Sequence, residues 1–394
     1  MSELSLDRVR AEVERRLDPF VESLRQMVEV DCGTYSPEGV DRIASMCESR
    51  FEGLGYPVER RPHHPTDGSA QLGDCLVARG EGAGPRVVLI GHMDTVFDDG
   101  TAAARPFRIE GERAFGPGVS DMKGGLLGGF LALEALQAAG VEVAATYVCN
   151  PDEEIGSVFS KAIIEEVARE ADVCFVLECA RANGNLVSAR KGITDVRIDI
   201  AGRAAHAGVE PHKGRNAIHE AAHKVLALQA LNGRWPGVTV NVGVIAGGTR
   251  PNVVPDRCTL EIDIRSPEEG SFAEAEAEVR RIAGDGAVPD VTAEVRLMAS
   301  HRPMEKSQAS ARLVGLAKSV AGELAFDVED TATGGASDAN TTSAMGVPTL
   351  DGLGPIGGDA HGEAEWLDLS SVVPRVTLLA GLIARAGEAL DAAG

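Results

Sequence analysis

The order of apolar and polar positions divides the chain into two textures. Residues 6–30 carry apolar positions at helical spacing among many charges, which predicts one amphipathic helix. A second helix runs from about Pro37 to Leu54, opened by its proline and closed at Gly53 and Gly55. Short strands follow near Tyr56–Arg60 and Cys75–Ala78. Then comes Pro85-Arg86-Val87-Val88-Leu89-Ile90, whose unbroken apolar run predicts a buried central strand. Residues 107–115 alternate about a glycine and predict a hairpin. The glycine-rich loop 116–125 leads into a helix ending near Ala139. The pattern then reads strand Val143–Asn150, helix Ser157–Arg169 and strand Asp172–Glu178. Strands separated by helices imply a parallel or mixed sheet.

Near Gly192 the texture changes. Residues 193–200 alternate strictly, as in a strand with one exposed face. A helix from Asn216 to Leu231, strands at 239–245 and 259–265, a helix at 272–283 and a strand at 291–297 complete a β-α-β-β-α-β order. This is the ferredoxin-like plan of a two-layer α/β sandwich. His301-Arg302-Pro303-Met304 links back to a helix at 308–323, a Thr333-Gly334-Gly335 loop, a short helix from Ser337, a strand at 348–351 and a last helix at 369–389. The sequence therefore predicts an α/β chain with one domain inserted into another. The larger domain takes 1–190 and 303–394, and the insert takes 191–302.

A length of 394 residues agrees with two domains. A net charge of −22 argues against nucleic acid and anionic membrane as partners. No run of about 18 apolar residues predicts a membrane span, and the N-terminus lacks the basic and apolar regions of a secretory signal. Seven cysteines without a CxxC pair suit free, buried thiols in a reducing cytoplasm.

The candidate chemistry lies at strand ends. Gly91-His92-Met93-Asp94 closes the central strand, where open α/β sheets place their ligands. His92 and Asp94, two residues apart on an extended chain, point the same way, as a metal-binding imidazole and a carboxylate that orients it would. Asn150-Pro151-Asp152-Glu153-Glu154 closes the next strand. Its acids suit either a metal or the positive end of a helix dipole. Glu178 ends the third strand. Asp121 stands in the glycine-rich loop and His361 in a late one. The loop has no GxxxxGK[ST] pattern, so nucleotide is discounted. Two imidazoles and several carboxylates suit zinc, or manganese or cobalt with less selectivity. Six candidates, His92, Asp121, Glu153, Glu154, Glu178 and His361, are enough for two metals bridged by one carboxylate, with one glutamate left as a base.

The segments GHMDTV, GVSDMKGG, NPDEEIGS, the strand ending in Glu178, GRAAHAG and the late His361 together resemble the di-zinc metallopeptidase family. That family includes aminoacylase, acetylornithine deacetylase, succinyl-diaminopimelate desuccinylase and the glutamate-releasing carboxypeptidases of the carboxypeptidase G type. The resemblance covers nearly the whole chain. It implies a phosphorylase/hydrolase-like three-layer catalytic domain with a mixed central sheet, carrying the ferredoxin-like sandwich as a lid and dimerisation domain.

Residue roles follow from the resemblance alone. His92 and Glu178 match the ligands of one zinc, Glu154 and His361 those of the other, and Asp121 the bridging carboxylate, with a cis bond to Met122. Glu153 matches the general base and Asp94 the carboxylate behind His92. His206, in GRAAHAG, matches the histidine that stabilises the oxyanion, across the dimer in dimeric members. Asn252, Arg265 and Gly335 match substrate-holding positions of the carboxypeptidase G type, and an arginine can clamp an α-carboxylate with two hydrogen bonds. The implied reaction is zinc-dependent release of a C-terminal amino acid, glutamate first, from an N-acyl or peptidyl substrate by a cytoplasmic homodimer. An N-acyl-amino-acid deacylase is the close rival, and a non-catalytic metal-binding module on the same fold is the rival of another class. Ala189-Arg190-Lys191-Gly192 is more basic than the carboxypeptidase G pattern.

Overall fold

The computed structural model describes residues 5–66 and 68–391. Contacts divide the chain into two compact units. The first holds residues 1–188, 306–332 and 337–394, and the second holds 189–305 with the short segment 333–336. That segment groups with the second unit for a visible reason. The Arg190 guanidinium donates to the Gly335 carbonyl at 3.0 Å and Arg265 to the Gly334 carbonyl at 3.0 Å.

The first unit is built on a six-stranded mixed sheet in the order Val58–Arg61, Cys75–Arg79, Ala145–Asn150, Val87–His92, Val173–Val176, Thr349–Leu350. Val87–His92 lies in the middle and runs parallel to both neighbours, with His92 opposite Asn150 and Ile90 opposite Val176. The three segments that continue past these residues therefore leave the sheet side by side at its carboxyl edge, as expected for a ligand site in such a sheet. Every residue of Val87–His92 is buried, the signature of a strand covered on both faces.

The helix Gly124–Ala138 packs on this strand and is apolar except at Glu134 and Gln137. Its glycines allow the close approach: a Cβ on Gly125 would stand 1.8 Å from the Leu177 carbonyl oxygen. The C-terminal helix Val372–Asp391 packs against Gly124–Ala138, Gln308–Glu323 and Leu6–Arg15. The stretch Leu369–Leu390 is long and apolar enough to cross a membrane by composition. Two thirds of it is buried in this core, so its apolarity is that of a core helix.

The single helix expected over 6–30 is two helices, Leu6–Arg15 and Leu17–Val28. Pro19 explains the break. It has no N–H to offer the Arg15 carbonyl, and its ring crowds that position, so a continuous helix cannot pass. The helix expected from Ser157 begins only at Lys161, because Ser157 takes a left-handed φ of 54°.

The second unit has the expected ferredoxin-like plan. Its antiparallel sheet runs Thr239–Gly247, Arg257–Ser266, Gly192–Ala201, Thr292–His301. The helices Ala217–Gln229 and Glu269–Gly284 cover one face around Ile198, Leu260, Ile264 and Val279. All seven cysteines are buried and unbridged.

Candidate metal centre

His92, the last residue of the central strand, is buried with Asp94 beside it. Its Nδ1 lies 3.1 Å from the Asp94 carbonyl oxygen and 3.3 Å from Asp94 Oδ1. That arrangement places the ring proton on Nδ1 and leaves Nε2 as the free donor atom. Nε2 faces Asp121 Oδ1 at 3.3 Å and Glu178 Oε1 at 3.6 Å. The other oxygen of Asp121, Oδ2, lies 3.2 Å from His361 Nε2, and the same nitrogen lies 3.1 Å from Glu154 Oε2. The Asp121 carboxylate thus presents one oxygen to a His92–Glu178 pair and the other to a His361–Glu154 pair. The Asp121–Met122 peptide bond is cis.

Asp94 ties the site together. Its carboxylate accepts the Thr34 hydroxyl at 2.6 Å and the backbone N–H groups of Glu153 and Glu154 at 3.2 and 3.3 Å. The end of one strand is thereby fixed to the loop after the next. Below that loop the Asp338 carboxylate accepts from Ser157 Oγ at 2.6 Å and Asn150 Nδ2 at 2.8 Å.

The donor set fits metal cations. Asp94, Asp121, Glu153, Glu154 and Glu178 place five carboxylates around two imidazoles. Ligand atoms of His92, Asp121 and Glu154, and of His92, Glu153 and Glu178, lie within 4.8 Å of one another. Divalent cations would offset this negative charge, and nitrogen with oxygen donors suits zinc, manganese or cobalt. The same carboxylates favour the protonated form of the imidazoles. Burial alone would lower the His92 pKa, but Asp121, Asp94 and Glu178 hold it well above its usual range. Asp121 and Glu154 push His361 up to about 10. Burial opposes ionisation of Asp121, yet the two imidazoles hold its carboxyl far below the usual range. Burial pushes Glu153 well up, with Glu178, Asp338 and Glu154 adding to the effect and His92 opposing it. Glu154 is also raised, chiefly by burial.

The structure therefore brings together His92, Asp94, Asp121, Glu153, Glu154, Glu178 and His361. His206, Asn252, Arg265 and Gly335 belong to the second unit, where they form two separate groups. His206 Nδ1 accepts the N–H groups of Gly208 and Val209 at 3.1 and 3.2 Å, so Nε2 carries the ring proton. The Asn252 carbonyl takes the Ala207 N–H beside it. Arg265 already spends Nε on Asp263 at 3.0 Å and Nη1 on the Gly334 carbonyl. Two residues of the centre were not foreseen from the sequence: Thr34, behind Asp94, and Glu365, whose buried carboxylate holds the backbone of the Asp121 loop.

A mixed α/β catalytic unit whose sheet edge holds two histidine–carboxylate pairs about a shared aspartate, interrupted by a ferredoxin-like insert, defines the class of metal-dependent peptidases. Residues 88–385 match the family described as Peptidase family M20/M25/M40, and the chain belongs to it. Carboxypeptidase G2 of Pseudomonas sp. (strain RS-16) is 31% identical over 372 residues, covering 92% of this chain and 88% of that protein. The aminopeptidase PepT of Bacillus cereus shares the fold with a TM-score of 0.77 at 23% identity, over 93% of this chain and 98% of that one. The metallo-carboxypeptidase Sso-CP2 of Sulfolobus solfataricus does so at 0.72 and 16% identity, over 93% and 98%. The protein is a metal-dependent hydrolase of peptide or amide bonds, an exopeptidase acting on small peptides or acyl amino acids.

Proposed function

We propose that the protein holds two zinc ions and releases a C-terminal amino acid, glutamate first, from N-acyl or peptidyl substrates. The observation that carries the two-metal reading is the Asp121 carboxylate, whose oxygens face different histidine–glutamate pairs. His92 and Glu178 would hold one ion, His361 and Glu154 the other, with Asp121 shared and Asp94 orienting His92. When bound, such ions polarise the scissile carbonyl and lower the pKa of water. Glu153 takes the proton from the attacking water on its carboxylate. It returns that proton to the amine nitrogen as the C–N bond breaks. His206 offers its Nε2–H to the carbonyl oxygen as negative charge develops there. Arg265, Asn252 and Gly335 are assigned to holding the substrate.

The glutamate assignment is supported by the 31% identity to carboxypeptidase G2. The occupied guanidinium of Arg265 favours a second reading, an N-acyl-amino-acid deacylase in which Asp263 keeps that arginine and the acyl group is the part recognised. A homodimer through the inserted unit is supported by Leu226 on the helix Ala217–Gln229 and by Val244 and Ile245 on the edge strand Thr239–Gly247, all exposed apolar residues. A reducing compartment, the cytoplasm, is supported by the seven unbridged thiols.

The test is a substrate panel with zinc-loaded protein: pteroylglutamate, an N-acyl-glutamate, N-acetylornithine, N-succinyl-diaminopimelate and a dipeptide, scored for the amino acid released. Glutamate from the first two supports the carboxypeptidase reading. Preference for acetylornithine or the succinyl compound replaces it with the deacylase.

A further inference from the structure

Glu365 is buried and lies four residues after His361, just before the strand Trp366–Asp368 that pairs with Arg113–Phe115. Its carboxylate collects four donors from one loop. Oε2 accepts the Gly118 N–H at 2.8 Å. Oε1 accepts the Ser120 N–H at 2.8 Å, the Ser120 hydroxyl at 3.2 Å and the Asp121 N–H at 3.0 Å. Every contact is donated to Glu365. Four donors gathered on one carboxylate favour its anionic form.

Core packing of Val119 and Met122 also holds the loop, and Met122 Sδ accepts the His92 N–H at 3.2 Å. Val119 donates to the Gly116 carbonyl and Lys123 to the Gly118 carbonyl, both local turns, while the Lys123 ammonium holds the carbonyls of Pro117 and Val30. None of these bonds reaches the Asp121 backbone. The segment 361–365 meets Asp121 at both ends: the His361 imidazole faces its carboxylate and the Glu365 carboxylate accepts its backbone N–H. Strand pairing anchors Glu365 at Trp366, opposite Phe115.

We propose that Glu365 is a positioning residue of the metal centre: it gathers the Gly118–Asp121 backbone on one buried carboxylate and so fixes the Asp121 carboxylate between the two histidine–glutamate pairs. It touches neither substrate nor metal and acts only through Asp121. The inference rests on the two-metal reading of the preceding section.

The experiment compares wild type, Glu365→Gln and Glu365→Asp. Gln keeps the shape and loses the charge; Asp keeps the charge and withdraws it by one methylene. Metal-free proteins are titrated with Co2+, following stoichiometry, visible absorption and near-ultraviolet circular dichroism, and kcat and KM are then measured separately. Folded variants are expected to bind the second equivalent 10- to 100-fold more weakly, on the scale of losing a hydrogen-bonded support behind a ligand. Their cobalt spectrum should change, and kcat should fall with KM within about twofold of wild type. A wild-type second affinity and spectrum in Glu365→Gln would overturn the assignment. If that variant does not fold, Glu365→Asp decides by the same readout. Loss of fold in both would make the carboxylate a folding element and overturn it equally. A wild type that binds fewer than two ions would instead defeat the two-metal reading, and that result is visible before any variant is made.

Discussion

Replacing Glu153 by Gln separates the chemistry of this centre from its stability, and the two should move in opposite directions. The side chain keeps its size, and the loop keeps its anchor, because the bond to Asp94 comes from the Glu153 backbone N–H. What changes is the charge. Burial, Glu178, Asp338 and Glu154 raise the Glu153 pKa, and His92 opposes them. The folded metal-free protein therefore binds more protons than the unfolded chain between the usual glutamate range and the raised value. Its stability falls as pH rises through that window. Removing the charge should stabilise metal-free protein at pH 8 by about 1–3 kcal/mol, the scale of a poorly compensated buried polar group, or a few degrees in Tm. The gain should shrink at pH 5, where wild-type Glu153 takes up its proton. Turnover should fall by ~10²–10⁴-fold, the contribution of a general base, with two metals retained. Thermal melts in EDTA at both pH values, metal analysis and kcat on the best panel substrate measure all of this. A kcat within tenfold of wild type removes Glu153 as the base. An unchanged or lower Tm at pH 8 refutes the account of charge crowding.

His361→Ala removes the imidazole shared by Asp121 and Glu154 and should lower the stoichiometry from two ions towards one by plasma emission analysis; two tightly held ions would refute its role as a ligand. Arg265→Lys should lower kcat/KM for substrates with a free α-carboxylate and spare their amidated analogues, whereas equal losses on both would leave Arg265 as a structural partner of Asp263 and Gly334. Asp338, raised by burial from 3.8 to about 6, contributes stability that is complete below about pH 4 and lost as pH rises through 6, roughly 3 kcal/mol by the size of that shift. Chemical denaturation of metal-free Asp338→Asn between pH 4 and 7 should show a flatter profile than wild type, and an identical slope would refute the assignment.

Much of the site was legible because its residues sit at the ends of apolar strands, and an unbroken apolar run is a local signal. His92, Glu153, Glu154 and Glu178 were found that way, and a shared sheet edge followed from the strand–helix alternation. Thr34 and Glu365 carry no such signal. Each is one polar residue in a loop, and each acquires its role only when the fold brings it to Asp94 or Asp121, 60 and 244 positions away. The helix break at Pro19 and the Asp263–Arg265 pair are different cases. A proline inside a helical pattern and two residues sharing one face of a strand are both readable by eye, and helical spacing and the appeal of an arginine clamp obscured them. The grouping of residues 333–336 with the inserted unit depends on two guanidiniums reaching carbonyls, which no pattern records.

The interruption of the first unit by the second also orders events on the ribosome. His92, Asp121, Glu153, Glu154 and Glu178 all precede the insert, while His361 and Glu365 follow it. At ~5–20 residues per second, translation leaves the early acids waiting on the order of ten to forty seconds for the imidazole that completes the second pair. During that interval the strand Thr349–Leu350, which edges the sheet beside Val173–Val176, is also missing. The nascent chain thus exposes both an unfinished sheet edge and a cluster of carboxylates with one histidine, and a single late stretch of chain closes both.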